Sequence, residues 1–185
     1  MQFNIHRNLE GLHAPFSPSQ PSWLRYDDEK IREVYMNKKA SERGTRLHQW
    51  AKETIDLRIK QPRSKQTLYA YVNDAIGFDM STEVVLFYSD RFFGTADAIS
   101  FKKGVLRIHD LKTGKIPAKI EQLEIYAALF CLEYKVKPSD IEIELRIYQN
   151  DEVLCKNPTA EDIVPIMDTI IHRDKLLEKL DCEEV

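Results

Sequence analysis

The chain has 185 residues, of which 43% are hydrophobic and 31% charged, the composition of one globular domain with a sizeable core. No apolar run reaches the ~18 residues of a membrane span, and the opening MQFNIHRNLEG lacks the apolar stretch of a secretory signal, so an intracellular, cytoplasmic protein is expected. Cys131, Cys155 and Cys182 are widely spaced and form no C-x-x-C pair, which argues against a disulfide framework and against a zinc or iron–sulfur centre.

The net charge of −3 conceals an asymmetry. Residues 30–65 carry eleven Lys and Arg against four acids, whereas residues 138–185 carry five basic against thirteen acidic side chains. A positive field on one side of the molecule is the expectation, and solvated helical faces are the plainer account of the same pattern.

In chain order, the turn-rich SPSQPSW leads to Asp27-Asp28-Glu29, acids that favour a helix N-terminus, and helices are expected through about Lys60. Leu47, Ala51, Thr54 and Ile55 make the segment 41–59 amphipathic. A short helix is expected from Thr67 to Ile76, ended by Gly77. The period then changes to that of strands. TEVVLFYS, FFGTADAISF and VLRIHDL are separated by the polar breaks at Asp90-Arg91 and Lys102-Lys103-Gly104, the pattern of an antiparallel meander. Pro117 suits the first turn of a helix whose apolar positions are Ile120, Leu123, Ala127, Phe130, Cys131 and Tyr134. A strand IEIELRIYQ, a turn at Asn150-Asp151 and a last helix opening at Thr159, with Asp162 three residues on, complete the order.

Two aspartates stand inside these apolar strands. Asp97 is read as sharing a face with Phe93, Thr95, Ile99 and Phe101, and Asp110 as sharing one with Lys112, away from His109. An even-numbered turn around Lys103-Gly104 sets Asp97 directly opposite Asp110. Facing carboxylates repel, so a cation is expected between them, and oxygen ligands of this kind suit Mg²⁺ or Mn²⁺. Asp, twelve residues, then Asp-x-Lys also fits phosphodiester hydrolysis, with Lys112 handling the water or the transition-state charge. A strand-edge Asp97 and a surface Asp110–Lys112 pair would account for the spacing equally well.

Four pieces in order carry a resemblance: G-T-x-x-H at Gly44 to His48, G-T-A-D at Gly94 to Asp97, IHDLKTGK, and Q-L-x-x-Y at Gln122 to Tyr126. From about Ser17 to Ile147 the sequence resembles the PD-(D/E)XK nuclease superfamily, in its RecB-type branch. The resemblance implies a restriction-endonuclease-like α/β (α+β) core, with a central mixed sheet made of a three-stranded antiparallel meander and a crossover strand, flanked by helices. It implies one nuclease domain over 1–185, with a helical entry (1–40), a core (41–150) and a C-terminal strand or turn region with a helix (151–185). Catalysis would rest on Lys112, Asp110, Asp97 and Glu83, and the metal on His48, Asp97, Asp110 and the Leu111 carbonyl. Gln122, Tyr126, Lys115, Lys119, Arg43 and Arg46 would face DNA, with Lys102 and Lys103 also following its backbone. The activity implied is a DNA exonuclease of recombination, processing or repair, stand-alone and phage-like, acting in a host cytoplasm and using Mg²⁺ or Mn²⁺. Partners would be DNA and either further copies of the chain or a recombination or replication protein. The alternative is a nuclease-fold adaptor or inhibitor that binds DNA or protein without turnover. The sequence departs from iron–sulfur relatives, since no cysteine follows the S-P-S opening, and from the usual helix motif, since Lys52 stands four residues after His48.

Overall fold

The computed structural model describes residues 4–183, and the chain divides into two compact units, Met1–Thr45 and Arg46–Val185. The first unit holds 3₁₀ turns at Arg7–Leu9 and Pro21–Arg25 and the start of helix α1 (Asp28–Asp56). Trp23 donates its indole N–H to the Ser17 carbonyl at 3.1 Å, and Asp27 caps α1 by accepting from the Lys30 amide at 2.8 Å. The helices expected through Lys60 are thus one helix, which ends at Asp56.

In the second unit, α1 from Arg46 onward is followed by α2 (Thr67–Gly77), β1 (Ser81–Ser89), β2 (Phe92–Lys102), β3 (Val105–Leu111), α3 (Glu121–Tyr134), β4 (Glu142–Gln149), β5 (Glu152–Lys156) and α4 (Ala160–Glu183). The strands form one mixed sheet in the order β1-β2-β3-β4-β5, with β3 and β4 parallel and every other pair antiparallel. A parallel neighbour demands a crossover, which α3 supplies. Strand β5 returns along β4 through Asn150 and Asp151, both at positive φ, the geometry of a two-residue hairpin turn.

The sheet is covered on both faces. Leu106, Ile108, Ile143 and Leu145 pack with Leu123, Ala127 and Phe130 of α3 and with Ile163 and Ile170 of α4. On the other face Ala98, Leu111 and Tyr148 pack with Ala51 and Ile55 of α1 and Tyr71, Val72 and Ala75 of α2. Thr159 and Asp162 form the expected N-terminal cap of α4, the Thr159 amide donating to Asp162 Oδ2 at 2.8 Å. Pro165 is accommodated inside that helix.

Two expectations are corrected here. Pro117 does not open α3, whose first residue is Glu121. The segment 112–120 is instead a loop held by Gln149, whose amide donates to the Gly114 and Ile116 carbonyls (2.6 and 2.7 Å) and accepts from the Ala118 N–H (2.9 Å). Nor does β2 alternate simply. Ala96 belongs to the α3 side and Ala98, two residues on, to the α1 and α2 side. Ile99 and Phe101 face α3, the latter with its ring 5.2 Å from that of Phe130, whereas Phe93 and Thr95 are exposed. Asp97, beside His48 of α1 and alternating with Gly94 and Ala96 of the α3 side, therefore stays in line with Phe93 and Thr95, and the strand changes face between it and Ile99. The cause lies next door: Glu83, between the pairs Thr82↔Ala98 and Val84↔Ala96, adopts φ +51 and breaks the pleat.

Candidate metal and catalytic site

The turn between β2 and β3 has two residues, Lys103 (φ +52) and Gly104 (φ +77). Its hairpin pairs Lys102↔Val105 through Ala98↔His109, and the ladder ends there, one residue short of both aspartates. The even turn read from the sequence is present, and it leaves the two carboxyls close enough for the Asp110 charge to act on Asp97.

Each is held differently. Asp97 Oδ2 accepts the Leu111 N–H at 3.0 Å and lies 3.4 Å from His48 Nδ1 on α1. Burial, and secondarily the Asp110 charge, push the Asp97 carboxyl up to about 6. Asp110 is buried; its Oδ1 accepts from Lys112 Nζ at 3.0 Å, while its Oδ2 has no hydrogen-bond partner among the described residues. Lys112 Nζ also donates to Gln122 Oε1 at 2.9 Å, and Gln122 Nε2 to the Tyr126 hydroxyl at 3.3 Å. Gln122 and Tyr126, one turn apart on α3, thus join the lysine instead of merely packing on the sheet. The chain of contacts closes at Gly94, where a Cβ would stand 2.8 Å from Tyr126 Cε1. Only a glycine lets β2 approach that ring so closely.

Glu83 comes into the cluster through its unusual backbone. Donor atoms of His48, Glu83 and Asp97 lie within 4.8 Å of one another, so the group able to hold an ion contains Glu83, whereas Asp110, expected as a ligand, is not part of it. Carboxylate oxygens and an imidazole are a donor set for a hard or borderline divalent cation. The partnerless Asp110 Oδ2 and the raised Asp97 carboxyl both mark a place short of positive charge. The residues present therefore fit Mg²⁺ or Mn²⁺.

One participant was invisible in the sequence. Tyr71 of α2 is buried, and its hydroxyl is pushed well up, first by burial and then by the charges of Asp97, Asp110 and Glu83. It remains a neutral phenol in the field of the three acids, and nothing in YAYVNDAI announces that neighbourhood. His109 lies on the other face, as read: it is fully buried between Phe78 and Tyr148, with Nδ1 3.3 Å from the Tyr148 hydroxyl.

The cationic candidates are less uniform than their sequence suggests. Arg46, Lys115 and Lys119 are exposed in the second unit and Arg43 in the first. Lys102 is not free to follow a backbone, since it pairs with Asp79, as Arg58 also does. Of the eleven basic residues in 30–65, Lys30, Lys39, Lys52 and Arg58 are in ion pairs with Glu33, Glu42, Asp56 and Asp79. That local neutralisation weakens the positive field expected of the segment.

Fold and site together define an α/β protein whose five-stranded mixed sheet carries a buried and a half-buried carboxylate, a paired lysine and a nearby histidine. No protein-family model matches the chain, and no curated protein matches it. Among the described residues no helix is long and apolar enough to cross a membrane.

Proposed function

We propose that the chain is a divalent-metal-dependent nuclease that hydrolyses phosphodiester bonds in DNA. The observation that carries the reading is the neighbouring Asp97 and Asp110, the former bonded to the amide of the residue after the latter, with Lys112 bonded to Asp110 and His48 3.4 Å from Asp97. Retaining two repelling carboxylates in a sheet destabilises the protein unless a cation joins them. The meander, crossover helix and parallel fourth strand support a restriction-endonuclease-like core around that pair.

His48, Glu83 and Asp97 would hold the ion, with Asp110 and the Leu111 carbonyl completing the set that the resemblance implies. When bound, it supplies charge neutralisation at the scissile phosphate and acidifies a water. Lys112 has three N–H donors, two of them committed to Asp110 and Gln122. The third can orient the attacking water or bind a phosphate oxygen as charge develops. Gln122 and Tyr126 keep the ammonium in place, and the Leu111 N–H keeps Asp97 turned toward His48. Lys115, Lys119 and Arg46 would contact DNA phosphates without reading sequence.

The test is cleavage of linear, circular and single-stranded DNA with Mg²⁺ and Mn²⁺. Lys112→Ala and Asp110→Ala should lower turnover by about 10²-fold or more while keeping the wild-type circular dichroism. Full activity in either variant would sink the assignment. Wild-type protein that binds DNA but cuts none of these substrates would favour a binding adaptor.

A further inference from the structure

We propose that the loop 112–120 is a wedge, with Ile116 at its tip, that unpairs the end of a duplex as it enters the site; this rests on the nuclease reading. Ile116 is 85% exposed, above every other large apolar side chain among the described residues. An exposed isoleucine on a floppy loop would carry little meaning, but this loop is built. Gln149, the last residue of β4, fixes it with three hydrogen bonds, to Gly114, Ile116 and Ala118. A side chain at the end of a sheet strand thus specifies the loop's shape and leaves its largest apolar group in solvent. The base of the loop is equally fixed, since the Lys112 amide donates to the Tyr148 carbonyl at 2.9 Å.

Placement and flanking charge point to DNA rather than to a protein surface. Ile116 follows Lys112 by four residues and so lies within about 14 Å of it along the chain, a span of about four base-pair steps. Lys115 on one side and Lys119 beyond Pro117 are both exposed, available to the phosphates on either side of an inserted apolar group. Isoleucine and proline are residues that enter base steps and unstack them, and cations beside them attract the backbone phosphates. A wedge at this distance would deliver one unpaired strand to the carboxylates, which makes duplex ends the substrate class.

The wedge is tested with a short blunt duplex carrying 2-aminopurine in its terminal pair, whose fluorescence rises on unstacking. In EDTA, so that nothing is cut, wild-type protein should raise the signal. Ile116→Ala and Gln149→Ala should abolish the rise, and Ile116→Phe should preserve it. In Mn²⁺, Ile116→Ala should cut blunt duplex about tenfold more slowly, the order expected when base-step unstacking is no longer assisted, and single-stranded DNA at the wild-type rate. No fluorescence rise with the wild type, or an unchanged duplex-to-single-strand ratio in Ile116→Ala, overturns the wedge alone. A wild type that cuts neither substrate overturns the nuclease reading instead, and the EDTA measurement still decides the wedge.

Discussion

Gly94→Ala is the substitution whose cost follows most directly from the geometry. The added methyl would lie 2.8 Å from Tyr126 Cε1, about 0.7 Å inside the closest comfortable carbon–carbon separation. Glycine 94 is not at positive φ, so alanine is conformationally allowed and would by itself stabilise by ~0.4–1 kcal/mol through the unfolded chain. The clash reverses that sign, because the Tyr126 ring, packed against the α3-side core, must move. Overpacking of this kind costs about 1–3 kcal/mol. Displacing the ring also loosens the Tyr126–Gln122 bond and hence the support of Lys112. A urea-unfolding double-mutant cycle of Gly94→Ala with Tyr126→Ala measures the effect, and the pair should couple by about 1 kcal/mol or more. Gly77→Ala is the control, since nothing lies within 4 Å of a Cβ there, and it should not destabilise through a clash. If Gly94→Ala were as stable as wild type and additive with Tyr126→Ala, the close approach of β2 to α3 would be wrong.

Three further outcomes are expected. Mn²⁺ at a hundredfold excess over its Kd should raise the melting midpoint by about 5–10 °C; Asp97→Asn should lose the shift, and equal shifts in both proteins would remove Asp97 from the ion's ligands. His109 is held neutral, its pKa pushed down from 6.5 to about 3 by burial and then by Arg146 and Arg107. Between those values the unfolded chain binds a proton that the fold does not, so stability is lost as pH falls from about 6.5 to 3, by on the order of 5 kcal/mol from this residue. His109→Phe should flatten that limb of the urea midpoint against pH, and an unchanged slope would refute the buried neutral histidine. Burial pushes the Cys131 thiol up to about 11, whereas Cys155 and Cys182 are exposed, so alkylation of native protein at neutral pH should label those two and spare Cys131; a rapidly labelled Cys131 would contradict its packing on the buried side of α3.

The order and type of the main elements were legible because hydrophobic period is a local signal. The change from 3.6 to 2 between Ile76 and Thr82 marked where helices give way to the sheet, and the positive-φ turn at Lys103-Gly104 has the expected even count. Local signals were ambiguous where a residue type has two uses. Pro117 can begin a helix or stiffen a loop, and the decision lay with Gln149, thirty-two residues away.

The sequence by itself determined which chemistry is available: two acids in apolar strands, a lysine two residues after one of them, and a histidine on an amphipathic helix. Turn parity follows from backbone geometry alone, and the even turn at Lys103-Gly104 brings the strand ends that carry Asp97 and Asp110 side by side. Only the tertiary structure decided the rest. Glu83 joins His48 and Asp97 because a left-handed backbone residue breaks the pleat of β1, which no local pattern in STEVVLFYS predicts. Tyr71 meets the acids because α2 packs on the same face of the sheet as α1, and Lys102 is lost to Asp79 because a distant partner neutralises it. Such contacts depend on how elements dock, and docking is set by the whole core rather than by any segment of the chain.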